Sequence, residues 1–399
     1  MEQPLAGLKV VDLTWHVAGP HATKLLADYG AEVLKVERPE TGDPARRYGP
    51  FPGDVPHRER SGMFLHLNTN KRGITVNLKT AAGRTIVREL AKSADVLVES
   101  FSPGVAARLG LEYESLCRLN PRLIVCSVSN YGQTGPYRDY KATEMTMYAH
   151  AGLVHSLGVP EREPLRSVDH LPEYQAGGTA AAAIVGAAIH QRWSGEGQVV
   201  DVSLFEAGSG SSDRRITRTL GYEYTGESIP RSPAGSMPGG AALPCSDGYV
   251  LFTVSPPSRW RRLFEMLGAP QLANTGATTT PGLPTEEELS ALLYPWCLER
   301  TKQQVMEQAQ AHGVPATAIN SPSDILRDPY LRERGYFVEA DHAEAGRLAY
   351  AGRALFIDGE AWEMRRAAPL LGEHNEEVLC GGLGFSTAEA GLLRAEGVI

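Results

Sequence analysis

The sequence predicts an α/β protein whose main domain is a doubly wound parallel sheet with a smaller α/β domain inserted, and three observations predict it. Short runs rich in β-branched residues alternate with helix-period segments from about residue 10 to residue 204. The composition then shifts to Gly, Ser, Pro and Arg over 208–244, which suits connections and loops rather than a core. A second block, 249–325, has strand and helix signals of its own. With 399 residues, 42% apolar and 22% charged, the chain is long enough for two domains with buried cores.

Taken in order, Val10-Val11-Asp12-Leu13 predicts the first strand, Gly19-Pro20 a turn, 23–28 a helix, and Val33-Leu34-Lys35-Val36 the second strand, a βαβ unit. The alternation continues with a helix over 84–94, the strand Val96-Leu97-Val98, a helix opening at Pro103 and a strand over 123–128. An alanine-rich helix over 174–192 follows, favoured by alanine's propensity, then the turn Gly195-Glu196-Gly197 and a strand over 199–204. In the second block a strand over 250–254, helices near 259–267, 286–298 and 302–312, and a strand over 316–319 are expected. The domain expectation is a large domain over 1–207, linkers and a glycine-containing loop over 208–245, a small domain over 246–328, and a return segment, 329–399, that completes the large one.

The formal charge of -8 and scattered Lys and Arg offer no broad cationic field, which argues against nucleic acid as a partner. Five cysteines without CxxC spacing suggest neither a disulfide framework nor a zinc site, so a reducing, cytoplasmic setting is expected. No secretory signal is visible, and the longest apolar stretch, 176–189, has 14 residues, too few to span a bilayer. No membrane role is expected.

The turn Ala18-Gly19-Pro20 can present backbone N–H groups and a helix amino terminus to a phosphate, or it is simply a turn. Glu37 ends the second strand where a nicotinamide-cofactor domain would hold a ribose, but the G-x-G-x-x-G spacing is absent. Arg38, Lys71-Arg72, Lys79 and Arg108, at strand ends or helix starts, could together hold several phosphates, though each alone reads as a surface charge. There is no G-x-S-x-G, HExxH or Walker loop, and the 11 histidines show no ligand spacing, so no metal is expected.

A series of ordered stretches stands out: residues 4–13, Ala18-Gly19-Pro20, 26–33 with Lys35-Val36-Glu37, Gly42-Asp43, Asn70-Lys71-Arg72, and 95–101 with Pro103-Gly104. Tyr131-Gly132-Gln133-Thr134-Gly135-Pro136, Gly195-Glu196-Gly197-Gln198 with Asp201-Val202-Ser203, and 368–374 complete the series, which spans nearly the whole chain. Together they resemble the class III CoA-transferase family, of the CaiB/BaiF type that includes formyl-CoA transferase, carnitine CoA-transferase and racemase relatives.

The resemblance implies a Rossmann-like large domain built from both chain ends, a small inserted domain, and a homodimer of interlocked rings. It places coenzyme A along Val17, Ala18, Arg38, Val76, Lys79, Ser100, Phe101, Arg108 and Lys141. Family transferases carry a catalytic aspartate shortly before the alanine-rich helix; the matching position here is Glu173, ranked above the nearby Asp169, which would need a four-residue shift. Glu144 is the second acid brought to the site, to orient Glu173 or an acceptor, or else merely to start a helix. Thr143-Glu144 stands where racemase relatives carry a histidine next to an acid, which argues against epimerisation.

The expected activity is transfer of CoA from an acyl-CoA to a free carboxylic acid through a covalent carboxylate intermediate at Glu173, with no cofactor beyond CoA as substrate. Gly239 and Gly240 are expected to supply a backbone N–H to the oxyanion, or to belong to a linker. The extra methylene of Glu moves the reacting oxygen by roughly 1 Å, enough to change rates by about 10²-fold unless the pocket is reshaped. The alternatives are an isomerase or lyase of the same fold with Glu173 as general base, and a silent CoA-binding subunit.

Overall fold

A computed structural model of the chain describes residues 3–155, 157–166, 169–210, 215–228, 231, 242–253, 257–274, 286–352, 355–357 and 363–399. They form two compact units: Met1–Leu157 with Pro164–Ile229 and Arg332–Ile399, and Gly158–Glu163 with Pro230–Leu331.

The first unit begins with β1 (Lys9–Leu13), α1 (Ala18–Asp28), β2 (Glu32–Glu37), α2 (Gly62–Leu67) and β3 (Lys71–Thr75). It continues with α3 (Ala81–Ser93), β4 (Val96–Glu99), α4 (Val105–Leu109), α5 (Tyr113–Leu116) and β5 (Ile124–Ser129). Then come α6 (Glu144–His150), α7 (Leu171–Ser194), β6 (Val199–Ser203), α8 (Leu204–Gly210) and α9 (Arg215–Thr225). The six strands form one sheet in the order β3-β2-β1-β4-β5-β6, each pair parallel.

Both faces of this sheet are covered, as a parallel sheet requires. Val10, Val33, Val98 and Cys126 pack with α1 and α7 on one face. Their neighbours Val11, Leu34, Leu97 and Val125 pack with α3 on the other. Glycine sets the spacing of α1 and α7, since a Cβ on Gly177 would stand 2.5 Å from the Ala18 carbonyl oxygen.

Two expectations are corrected here. Ala18, Gly19 and Pro20, expected as a turn ahead of a helix over 23–28, are already the first turn of α1; proline is tolerated there because the first N–H groups of a helix have no intrahelical partner. Lys71 and Arg72 do not face a phosphate at the sheet's carboxyl edge, because they open β3. Lys71 is fully buried, and its Nζ donates to Asp12 Oδ2 (3.1 Å), Thr23 Oγ1 (2.8 Å), Asn68 Oδ1 (3.0 Å) and the Pro20 carbonyl (2.9 Å). Arg72 pairs with Glu377 at 2.9 Å.

The outer edge of β3 is closed by the end of the chain. Asn375 Oδ1 accepts the Thr75 N–H (2.8 Å), the Gly73 carbonyl accepts the His374 N–H (2.9 Å), and the Val398 carbonyl accepts the Asn77 N–H (2.7 Å). Gly73 is required by this docking, since a Cβ there would meet Pro369 Cγ at 2.8 Å.

The second unit has β7 (Ala242–Cys245), β8 (Gly248–Phe252), α10 (Pro257–Met266), α11 (Glu286–Leu298), α12 (Lys302–Ala311), β9 (Ala316–Ala318) and α13 (Pro322–Arg327). Its strands pair antiparallel in the order β7-β8-β9 and share a core with Leu263, Phe264, Leu293 and Val305. In the stretch expected to be linker, α9 (Arg215–Thr225) belongs to the first unit. Among the described residues no helix is long and apolar enough to cross a membrane.

Candidate active site

In this strand order the connections from β1 and β4 diverge to opposite faces of the sheet, leaving a crevice at their carboxyl ends where open α/β sheets bind ligands. A cleft of about 830 Å³ opens there. Trp15, His16, Val17 and Ala18 reach it from the end of β1, and Ser100 and Phe101 from the end of β4. Arg138, Lys141 and Glu144 come from the segment after β5, and His170 and Glu173 from the start of α7.

Buried charge holds the β1 side of the cleft. Asp12 Oδ1 accepts the N–H (2.9 Å) and hydroxyl (2.5 Å) of Thr14. Burial alone would raise the Asp12 carboxyl, but Lys35, Lys71 and the Thr14 and Thr23 hydroxyls together hold it well below the usual carboxylate range. Lys35 Nζ donates to the Thr14 carbonyl (2.8 Å) and pairs with Asp43 (2.8 Å), whose Oδ1 accepts the His16 N–H (3.0 Å). His16 is thereby kept in the left-handed region at φ 63°, which costs a non-glycine residue about 1–3 kcal/mol. The Trp15 N–H donates to Ser100 Oγ (3.0 Å) and ties the β1 loop to the β4 loop.

A matching arrangement holds the α7 side. His170, the residue before the helix, is left-handed at φ 61°, and Glu144 Oε1 accepts its N–H at 3.3 Å. Glu144 Oε2 lies 3.5 Å from Arg166 Nη1, and Arg166 also pairs with Asp169. One helical turn on, Glu173 Oε1 lies 3.5 Å from His170 Nδ1, and its Oε2 is buried with no hydrogen-bond partner among the described residues. Burial pushes the Glu173 carboxyl above its ordinary range and Glu144 adds to this, while a backbone N–H and His170 oppose it. Glu173 stands four residues before Gly177, so both share the face of α7 that meets α1.

A half-buried carboxylate with a free oxygen, beside an imidazole and at the mouth of a cleft with cations on its rim, can attack an electrophilic carbonyl of an anionic ligand. The model of CoA-transferase family III matches residues 5–375. The chain belongs to this family. It is 34% identical over 417 aligned positions to a formyl-CoA:oxalate CoA-transferase of Streptomyces avermitilis, covering 100% of both chains. It is 33% identical to a succinate–glutarate CoA-transferase of Agrobacterium fabrum, over 94% of this chain and 95% of that one. A crystal structure of a CaiB/BaiF family protein from Brucella suis superposes with a TM-score of 0.83 at 30% identity, covering 96% of this chain and 100% of that one. The protein is thus an enzyme of the CoA-transferase class.

Of the positions that the resemblance to this CoA-transferase family marks, Val17, Ala18, Ser100, Phe101, Arg108, Lys141, Glu144 and Glu173 line the one cleft. Arg38 is exposed and outside the cleft lining, with its guanidinium 3.8 Å from the ring centroid of Trp15, which does line the cleft. Val76 is in the core under the sheet at 2% exposure, and Lys79 is exposed after β3. Gly239 and Gly240 lie outside the described residues. Asp169 is exposed and paired with Arg166, outside the cleft lining. Glu37 faces inward, with both its oxygens held by Arg46 at 2.7 and 2.8 Å, so it is not placed to hold a ribose.

Sequence reasoning missed Trp15, His16 and His170. Trp15 and His16 directly follow a predicted strand at the sheet's carboxyl edge, and that position was the available signal. His170 is three residues before Glu173 at a helix start, a spacing that brings side chains together.

Proposed function

We propose that this enzyme moves CoA from an acyl-CoA to a free carboxylic acid through covalent intermediates on Glu173. The observation that carries the reading is the Glu173 carboxylate itself, standing in the cleft with one buried oxygen that has no partner among the described residues. A Glu173 oxygen attacks the thioester carbonyl, the C–S bond breaks, and CoA leaves as thiolate from a mixed anhydride. The thiolate attacks the Glu173 carbonyl of that anhydride, expels the donor acid as carboxylate, and leaves a Glu173–CoA thioester. An acceptor carboxylate then repeats the two steps in reverse order and frees Glu173. Each step exchanges an acyl group between oxygen and sulfur, so the chemistry calls for no redox group.

Arg108 and Lys141 reach the cleft with no ion-pair partner among the described residues, which suits the phosphates of CoA. Phe101, edge-on to Trp15 at 6.3 Å between centroids, offers a ring face to adenine. The names of the relatives pair CoA with oxalate and with succinate and glutarate, which supports a carboxylate acceptor here.

The test incubates the protein with formyl-, acetyl- and succinyl-CoA, adds hydroxylamine, and maps the modified peptide by mass spectrometry. A hydroxamate at Glu173, absent in Glu173→Gln, is expected. An unmodified Glu173 in a preparation that turns over acyl-CoA refutes the covalent route.

A further inference from the structure

The reaction just described moves no proton; it moves one negative charge. That charge sits on Glu173 in the free enzyme, on the CoA sulfur once the anhydride forms, and on the departing carboxylate after the thiolate attacks again. A site that serves every step therefore benefits from one fixed positive charge beside the Glu173 carboxyl.

Among the described residues, few charged groups bear on that carboxyl, and Tyr174, next to it on α7, is held toward the neutral phenol by burial and by Glu173 itself. From α6 comes Glu144, an anion whose own oxygens are turned to the His170 N–H and to Arg166. Arg166 is itself shared between Glu144 and Asp169. From the β1 loop comes His16, which burial holds toward the neutral form, with Asp43 opposing and His170 adding to the effect. His170 remains, with Nδ1 3.5 Å from Glu173 Oε1, buried and without a hydrogen-bond partner among the described residues. Its left-handed backbone, at φ 61°, is held through the amide, whose N–H meets Glu144 Oε1 while Arg166 pairs with the other Glu144 oxygen.

We propose that His170, as the imidazolium, is a catalytic residue that serves as the fixed counter-charge shared in turn by the Glu173 carboxylate and the CoA thiolate. Glu144 and Arg166 are positioning residues that hold it there. The inference rests on Glu173 as the covalent carboxylate. It assigns His170 no proton transfer, unlike a general base.

The experiment measures single-turnover release of CoA thiol by rapid quench, using whichever of formyl-, acetyl- or succinyl-CoA reacts fastest with the wild type, with hydroxylamine trapping alongside. His170→Asn, neutral and tolerant of the left-handed backbone, is slower by about tenfold or more, while KM for acyl-CoA changes little. His170→Lys restores release, a rescue that a merely structural role would not produce. A His170→Asn enzyme with the wild-type rate that still forms the Glu173 adduct overturns the proposal. So does a His170→Lys enzyme that is no faster than His170→Asn. Absence of a Glu173 adduct in a wild type that turns over overturns the covalent reading and this proposal together.

Discussion

Replacing Gly177 by alanine separates the position of Glu173 from the stability of the fold. The new Cβ would stand 2.5 Å from the Ala18 carbonyl oxygen and 3.0 Å from His21 Cδ2. Ordinary carbon–oxygen contacts are about 3.3–3.6 Å, so α7 must move from α1 by roughly 1 Å. Such overpacking costs about 1–3 kcal/mol, offset by about 1 kcal/mol for removing a glycine from a helix interior. The net loss of stability is therefore small, about 0–2 kcal/mol. Glu173 rides on the same face one turn earlier, and a displacement of roughly 1 Å at a reacting group costs about 10²-fold in rate. Gly178→Ala is the control: nothing lies within 4 Å of its Cβ, so it should stabilise the protein by about 0.5–1 kcal/mol and leave transfer intact. Urea unfolding gives the stabilities and single-turnover CoA release gives the rates. If Gly177→Ala transfers at the wild-type rate and is as stabilised as Gly178→Ala, the close approach of the two helices does not set the site.

Two further outcomes follow from charge. Arg108→Ala and Lys141→Ala should each raise KM for acyl-CoA about tenfold with kcat nearly unchanged, as loss of a phosphate contact away from the reacting carbonyl requires; a fall in kcat at constant KM in steady-state kinetics contradicts this. His21 and His66 are each pushed down to about 4 by burial, so between about pH 4 and the ordinary 6.5 the unfolded chain binds more protons than the folded one. Stability then rises with pH across that window, by up to about 3 kcal/mol for each histidine, and His21→Gln should flatten the dependence of the urea midpoint on pH; an unchanged slope speaks against it.

The sheet was legible where its strands carry β-branched runs, as in Val10-Val11 and Val96-Leu97-Val98, because a strand buried on both faces needs them. It was illegible at β3, whose sequence from Lys71 to Thr75 has a buried lysine and a glycine. Both depend on distant partners, Asp12 for Lys71 and Pro369 for Gly73, that no local pattern announces. The site divides in the same way. Glu173 and the cleft cations follow from ordered motif positions, whereas the left-handed backbones of His16 and His170 are imposed by carboxylates elsewhere in the chain. The charges inside Val11-Asp12-Leu13 and Leu34-Lys35-Val36 are fully buried and shape the β1 loop, a role that their strand runs do not announce.

The closure of the β3 edge bears on how the protein is made. Thr75 and the Asn375 side chain that caps it are 300 residues apart. A ribosome working from the amino end exposes the whole parallel sheet before the segment that covers the β3 edge has been synthesised. For that interval β3 offers unpaired N–H and C=O groups to any other nascent strand. Overexpression at high temperature should therefore drive this chain into inclusion bodies more readily than its finished stability would indicate. Slow translation with chaperones that shield strand edges should recover it.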